Sequence, residues 1–288
     1  MKTSMRSLVC FVVTLAVLSC YSTSTHAWGR SGHRIVAMIA ERNVCSQTRP
    51  RINQILGKNV KLADVANYAD DVGGQFPNTP NFHFVRIPID DNLADDLYGA
   101  GRDCQSKPQG DCLLAAIQRY RDQILSPNST PSQRSFALKF IIHLVGDMHQ
   151  PLHCAERNKD GGGSAVSVTW FGHQSDLLQV WESRIIDRPH LTDEQFVQGL
   201  INGSTAEEMN EMRKGSILRW AMESHRLAGE FAYDLPADGK LGQAYYDKNW
   251  PIVDKQLLRG GMRLARVLDW LFLPHTESNS VDPLVLQP

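Results

Sequence analysis

The sequence predicts a mainly α-helical protein, a single multi-helix domain carrying one small β-hairpin. Three observations lead there. Apolar residues recur at helical spacing through long stretches, strand-like runs are few and short, and no repeat, low-complexity tract or long linker divides the 288 residues. The chain is 42% hydrophobic and 21% charged, which excludes a disordered, fibrous or multi-span membrane protein. Thirty Lys and Arg against 31 Asp and Glu give a formal charge of −1, so a broadly basic grip on nucleic acid is excluded too.

Taken in order, residues 1–27 read as a secretory signal peptide. Lys2 and Arg6 precede an apolar run from Leu8 to Leu18, and Ala27 supplies the small residue for cleavage. That run is shorter than the ~20 residues of a membrane span. The domain then covers 28–288 and begins at Trp28. Without the leader, 28 basic and 31 acidic residues leave a charge of −3 on 261 residues. Ser31 is placed to cap a helix whose apolar face holds Ile35, Val36, Met38 and Ile39. Helical spacing continues over 61–69, 111–125, 132–148, 177–187, 192–201, 205–233 and 241–272. Thr205 with Glu208 resembles a capping box, and Pro251 is expected to kink or break the last stretch. Strand-like runs are Phe82 to Ile87 and Ala165 to Trp170, the second following three glycines at 161–163 and suited to a hairpin.

Four cysteines remain after the leader, allowing three pairings. Cys104 and Cys112 bracket a short Lys-Pro-Gln-Gly turn, which favours that bridge and leaves Cys45 for Cys154. A zinc site built from them is disfavoured by their spacing and by an oxidising compartment. Asn128 and Asn202 head glycosylation sequons that are meaningful in a eukaryotic host.

The segment 143–153, His-Leu-Val-Gly-Asp-Met-His-Gln-Pro-Leu-His, carries the densest chemistry. His143 and Asp147 stand four apart on a helix, so both project from one face and can share a metal. Pro151 ends that helix and lets His153 approach from another angle. His149 points elsewhere and suits hydrogen-bond support of a ligand. Trp28-Gly29-Arg30-Ser31-Gly32-His33 adds a His close to the new N-terminus, whose α-amine and carbonyl can chelate a metal. Asp70 and Asp71 end a helical run, and His83 lies in the strand-like 82–87. Taken singly, each of these is as well explained as a surface or half-buried residue.

Together these motifs resemble the secreted zinc-dependent single-strand nuclease and 3′-nucleotidase family, whose fold is shared with zinc-dependent phospholipase C. The matching stretches are Trp-Gly to Gly-His (28–33), Tyr-Ala-Asp (68–70), Phe-His-Phe (82–84), the whole of 143–153, the Gly-rich hairpin (161–170) and Val-Trp-Glu (180–182). The resemblance implies three zinc ions. One would be held by Asp70, His83, His143 and Asp147. A second would take the amine and carbonyl of Trp28 with His33, Asp147 bridging, and a third His153 and Glu182. It also implies attack on phosphorus by a zinc-bound hydroxide, with Asp70 orienting the nucleophile and Phe84 stacking a base. Substrates would be single-stranded DNA, RNA and 3′-nucleotides, turned over by a secreted monomer.

Three departures from the family pattern stand out. Leu178 occupies the position of a zinc-binding His, leaving the third ion only His153 and Glu182, unless His173 or Asp176 substitutes. Gly161-Gly162-Gly163-Ser164 replaces the usual Gly-Gly-Asn-Thr, and Arg86 sits where some members carry a base-contacting Asp. Leu178 leaves open a catalytically impaired zinc-binding homologue, and the shared scaffold leaves open a phospholipase C.

Overall fold

A computed structural model describes residues 28–76, 78–89, 98–104, 111–275 and 281–286, so the signal-peptide segment and the Lys107–Gly110 turn lie outside the described residues. The fold is mainly α with a three-stranded sheet. Helix α1 (Arg30–Asn43) buries Ile35, Val36 and Ile39. Its N-cap is Gly29, not Ser31; the Ser31 hydroxyl instead donates to Asp193. Helix α2 (Thr48–Leu56) lies outside the predicted stretches, because its apolar face is confined to Ile52, Ile55 and Leu56, too short a run to announce a helix. The 61–69 pattern becomes two short helices, α3 (Leu62–Val65) and α4 (Tyr68–Val72), and the break at Asn67 aims Asp70 inward.

After α5 (Ala100–Asp103) and α6 (Leu113–Leu125) comes α7 (Pro131–Asp147), the central helix of the fold. Thr130 starts it with a capping box: Gln133 N donates to Thr130 Oγ1 at 3.2 Å, and Thr130 N donates to Gln133 Oε1 at 2.8 Å. From Phe140 to Asp147 every residue of α7 is buried, so its C-terminal end is enclosed on all sides.

Strands β1 (Ser167–Trp170) and β2 (His173–Asp176) form the expected hairpin, pairing Trp170 with His173 and Ser167 with Asp176. Its two-residue turn places Phe171 and Gly172 at φ +46° and +87°, matching strand twist. The chain then runs through α8 (Leu177–Gln179), a wide π-type turn (Val180–Arg184) and α9 (Ile185–Asp187). Helices α10 (Asp193–Asn202), α11 (Ala206–Met212) and α12 (Ile217–Leu227) follow. The 205–233 stretch is broken between α11 and α12, where Gly215 adopts φ +106°. Strand β3 (Lys240–Leu241) pairs in parallel with β1, and α13 (Gln243–Phe272) closes the domain.

Two further expectations are corrected. Phe82 to Ile87 is not a strand. Pro80–His83 is a 3₁₀ turn, and the extended backbone after it bonds to 153–156, through Val85 N to His153 O at 2.8 Å and Glu156 N to Ile87 O at 2.9 Å. Pro80 and Pro88 lack the N–H groups that a longer ladder would need. Pro251 does not break α13, which continues for 30 residues around it. One lost hydrogen bond is outweighed by the burial of the helix's second half, including Val253, Leu257, Leu258, Leu264, Val267 and Leu268.

Helices α1 and α13 pack closely because α13 offers glycine. A Cβ on Gly261 would come within 2.4 Å of Ile39 and 3.0 Å of the Val36 carbonyl. Gly261→Ala should therefore destabilise the fold by about 1–3 kcal/mol, seen as a Tm lowered by several degrees. An unchanged Tm would show that the two helices can part there at no cost.

Candidate metal centre

The C-terminal end of α7 presents His143 and Asp147 on one face, both fully buried. The two oxygens of Asp147 look in different directions. Oδ1 lies 3.2 Å from His33 Nε2 and 3.3 Å from His143 Nε2, while Oδ2 lies 2.9 Å from His83 Nδ1. His143 Nε2 is also 3.1 Å from His83 Nδ1 and 3.5 Å from Asp70 Oδ1. Two donor groups result, His33–His143–Asp147 and Asp70–His83–His143, the atoms within each group lying within 4.8 Å of one another.

Backbone carbonyls set the tautomers. His143 Nδ1 donates to the Ala66 carbonyl at 2.8 Å, which turns Nε2 toward the cluster. His153 Nδ1 donates to the His83 carbonyl at 2.8 Å, and its Nε2 faces Glu182 Oε1 at 3.6 Å. The imidazole of His33 stacks on that of His143, with ring centroids 3.8 Å apart. Gly146 makes this possible, since a Cβ there would stand 2.8 Å from His33 Nδ1. Trp28 is fully buried against Gly32, and Gly29 N donates to the Glu182 carbonyl at 2.6 Å, which ties the start of the domain to another acidic ligand candidate.

The electrostatics are those of a charge-dense, desolvated cluster. Burial alone would push the Asp147 carboxyl up, yet the imidazoles of His143 and His83 hold it well below the usual carboxylate range. Burial alone would lower His143, but Asp147 and Asp70 push it up to about 9. Burial, then the neighbouring His143, lowers His33, and burial pushes His153 down to about 3. Glu182 is raised well above its ordinary value by burial and by Asp176, Asp70 and Asp147. Asp147 Oδ1, His33 Nε2, His153 Nε2 and Glu182 Oε1 are buried and make no hydrogen bond. Buried imidazoles and carboxylates converging within 4.8 Å are a donor set that fits a divalent cation. Imidazole and carboxylate ligands together are compatible with zinc.

Several expected partners are placed differently. His149 turns away from the centre: its Nδ1 donates to the Val145 carbonyl at 2.7 Å, and its Nε2 accepts from Arg263 Nη1 at 3.1 Å. Burial and Arg263 keep it neutral, and it fastens the end of α7 to α13. The bridge of Cys104 with Cys112 is present, with Cα atoms 4.8 Å apart. The pairing of Cys45 with Cys154 is overturned, for both are free thiols. Cys45 is exposed after α1, its N–H bound to Asp269 on α13, whereas Cys154 is buried and donates to the Met148 carbonyl. A leftover pair of thiols bridges only where the fold brings them together, and here it leaves both free.

Leu178 is buried at 1% exposure, and its N–H donates to the Gly163 carbonyl. Neither upstream candidate takes its place. Asp176 is engaged as the cap of α8, accepting from Gln179 N at 2.8 Å, and His173 is exposed on β2 opposite Trp170. Phe84 is 8% exposed, with the Arg86 guanidinium 4.5 Å over its ring and the His153 ring 4.3 Å away. Arg86 is wedged beside Gly162, where φ is +67° and a Cβ would fall 2.5 Å from the Leu152 carbonyl. A base could stack on Phe84 only by displacing Arg86. Sequence reasoning missed the roles of the Ala66 carbonyl and Gly146. The glycine inside the 143–153 motif was the one available signal.

Comparison with known proteins points the same way as this cluster. The chain is 30% identical to nuclease S1 of Aspergillus oryzae over 276 residues, covering 85% of this chain and 92% of that one. It is 28% identical to endonuclease 2 of Arabidopsis thaliana over 287 residues, 92% of this chain and 97% of that one. With nuclease P1 of Penicillium citrinum it shares 27% identity over 266 residues, 83% of this chain and 95% of that one. The profile of one family spans residues 28–273, a range that begins at the buried Trp28 and contains every donor described above; the chain belongs to the S1/P1 nuclease family.

Proposed function

We propose that this protein is a secreted, zinc-dependent phosphodiesterase that cleaves single-stranded DNA and RNA and removes 3′-phosphates from nucleotides. The observation that carries the reading is the pair of donor groups joined through His143, with the two oxygens of Asp147 turned toward different histidines. Asp70, His83, His143 and Asp147 hold one zinc. His33 and Asp147 hold a second, together with the amine and carbonyl of Trp28 once residues 1–27 are removed. His153 and Glu182 hold a third more weakly, because Leu178 offers no lone pair.

Zinc, when bound, supplies a Lewis acid beside the scissile phosphate and makes water available as a nucleophile near neutral pH. The protein's own groups do the rest. Asp70 orients the attacking water, Asp147 keeps the two donor groups at fixed separation, and burial keeps His153 unprotonated and available as a ligand. Phe84 stacks a nucleobase once the Arg86 guanidinium that covers its ring is displaced.

The catalytic domain covers 28–288. The Cys104–Cys112 bridge supports an oxidising, extracytoplasmic location, and Asn128 and Asn202 are both exposed, as glycosylation requires. Among the described residues no helix is long and apolar enough to cross a membrane. The enzyme acts as a monomer. Leu178 favours a second reading, a zinc-binding homologue with impaired catalysis. Nothing comparable favours a phospholipase C, since the relatives above are named as nucleases.

The test uses secreted protein beginning at Trp28. Its zinc content is measured by mass spectrometry beside hydrolysis of denatured DNA, duplex DNA and a 3′-nucleotide. Bound zinc and chelator-sensitive cleavage that prefers denatured DNA are expected. A zinc-free protein that still cleaves in chelator would overturn the reading.

A further inference from the structure

Away from the metal centre, the turn Arg213–Ser216 between α11 and α12 forms a ridge with a cavity on either side. One cavity, about 630 Å³, is lined by Lys214, Arg219, Arg226 and Arg263 around Trp220. The other, about 900 Å³, is lined by Arg51, Arg213, Lys214 and Arg266. Lys214 belongs to both. This concentration of cations stands out on a chain whose mature charge is −3.

The carboxylates nearby are engaged inward. Glu223 is clamped between Arg259 at 2.8 Å and Arg263 at 2.6 Å. Asp269 accepts from Arg213 at 2.6 Å, Thr48 Oγ1 at 2.7 Å and Cys45 N at 2.8 Å. They neutralise the inner arginines and leave the outer cations over. Arg51 and Arg219 are exposed and form no ion pair among the described residues. Lys214 and Arg226 pair only with Glu211 and Glu230, which are themselves about half exposed or more, and such pairs exchange for another anion at little cost. Glu207 and Glu208, on the next cavity along α11, bound the track on one side.

The backbone beneath the ridge is already organised. Gly215 takes φ +106°, and Trp220 Nε1 donates to the Lys214 carbonyl at 2.8 Å. Arg266 Nη1 donates to the carbonyls of Arg213 at 2.7 Å and Gly215 at 3.1 Å. A charged partner would meet cations on a fixed turn and would not have to order a loop first.

We propose that this ridge and its two cavities are an exosite for the phosphate backbone of a polynucleotide strand, separate from the metal centre. The polymer's identity rests on the nuclease reading; the polyanion chemistry rests on the cations. Spaced positive charges across a rigid ridge suit a ligand with repeated negative charges, and holding a long strand there raises its effective concentration at the metal centre. Substrates too short to span both sites gain nothing from it.

The decisive variant is Lys214→Glu with Arg219→Glu in the secreted, zinc-loaded protein, both positions being exposed. Binding is read by fluorescence anisotropy with a labelled long phosphorothioate oligonucleotide. Turnover is read on long denatured DNA and on a dinucleotide. The variant should bind the oligonucleotide about tenfold more weakly, with a log–log salt slope shallower by about 1.4, as expected for two lost phosphate contacts on a single strand. KM for long DNA should rise while kcat and dinucleotide turnover stay unchanged, and Arg219→Lys alone should behave as wild type. Superimposable anisotropy titrations for variant and wild type would overturn the exosite. Failure of every form to cut any nucleotide would instead strike the nuclease reading, with the anisotropy result still standing by itself.

Discussion

Asp147→Asn is expected to abolish tight zinc binding and to lower phosphodiester hydrolysis by at least about 10²–10³-fold. The variant keeps the size of the side chain and one carbonyl oxygen, but it removes the charge and the second equivalent oxygen. Oδ1 faces His33 and His143, and Oδ2 faces His83, so the substituted side chain would have to present its amide NH₂ toward one set of imidazoles. That group has no lone pair to offer a cation. Removing one charge from a fully buried cluster costs about 3–5 kcal/mol, and each 1.36 kcal/mol is a factor of ten. Zinc per chain after dialysis is the primary measurement, with hydrolysis of denatured DNA as the second. A variant that keeps full zinc and a near wild-type rate would remove Asp147 from its shared position between the two donor groups.

Leu178→His should have the opposite effect at the other end of the site. Leu178 stands one helical turn before Glu182 and is buried, so an imidazole there adds a third protein donor to the pair formed by His153 and Glu182. Catalytic zinc sites commonly use three protein ligands with an open position for water. Outer-shell partners alone tune affinity by about 10–100-fold, so a new direct ligand should raise occupancy of this position by at least that factor. A stability signature accompanies it. Without metal, a buried imidazole lacking partners destabilises the fold by about 1–3 kcal/mol, and zinc restores the loss. The Tm of Leu178→His should therefore respond to zinc more strongly than that of the wild type. If the variant gains neither zinc nor rate, and the wild type already carries three ions, the impaired-homologue reading fails.

Some of this site was readable from residues one turn apart. His143 and Asp147 share a face because of the helical repeat, and Pro151 redirects the chain toward His153 whatever surrounds it. His149 shows where such reasoning ends. Its spacing says only that it leaves the face shared by His143 and Asp147; that it meets Arg263 was decided by the packing of α7 against α13. The Cys45–Cys154 pairing failed for a related reason, since no local rule tells whether two distant thiols meet.

By itself the sequence determined the helical class, the β1–β2 hairpin, the short Cys104–Cys112 loop and the shared face of His143 and Asp147 on α7. Each follows from backbone periodicity, turn chemistry or a short closed loop, all of them local. Only the tertiary structure decided that Asp70, His33 and His83 converge on α7, that α13 continues past Pro251, and that Arg86 covers Phe84. Those outcomes depend on which faces are desolvated together and on how much burial is available to offset a lost hydrogen bond. That balance is struck between segments far apart in the chain, where no sequence period reaches.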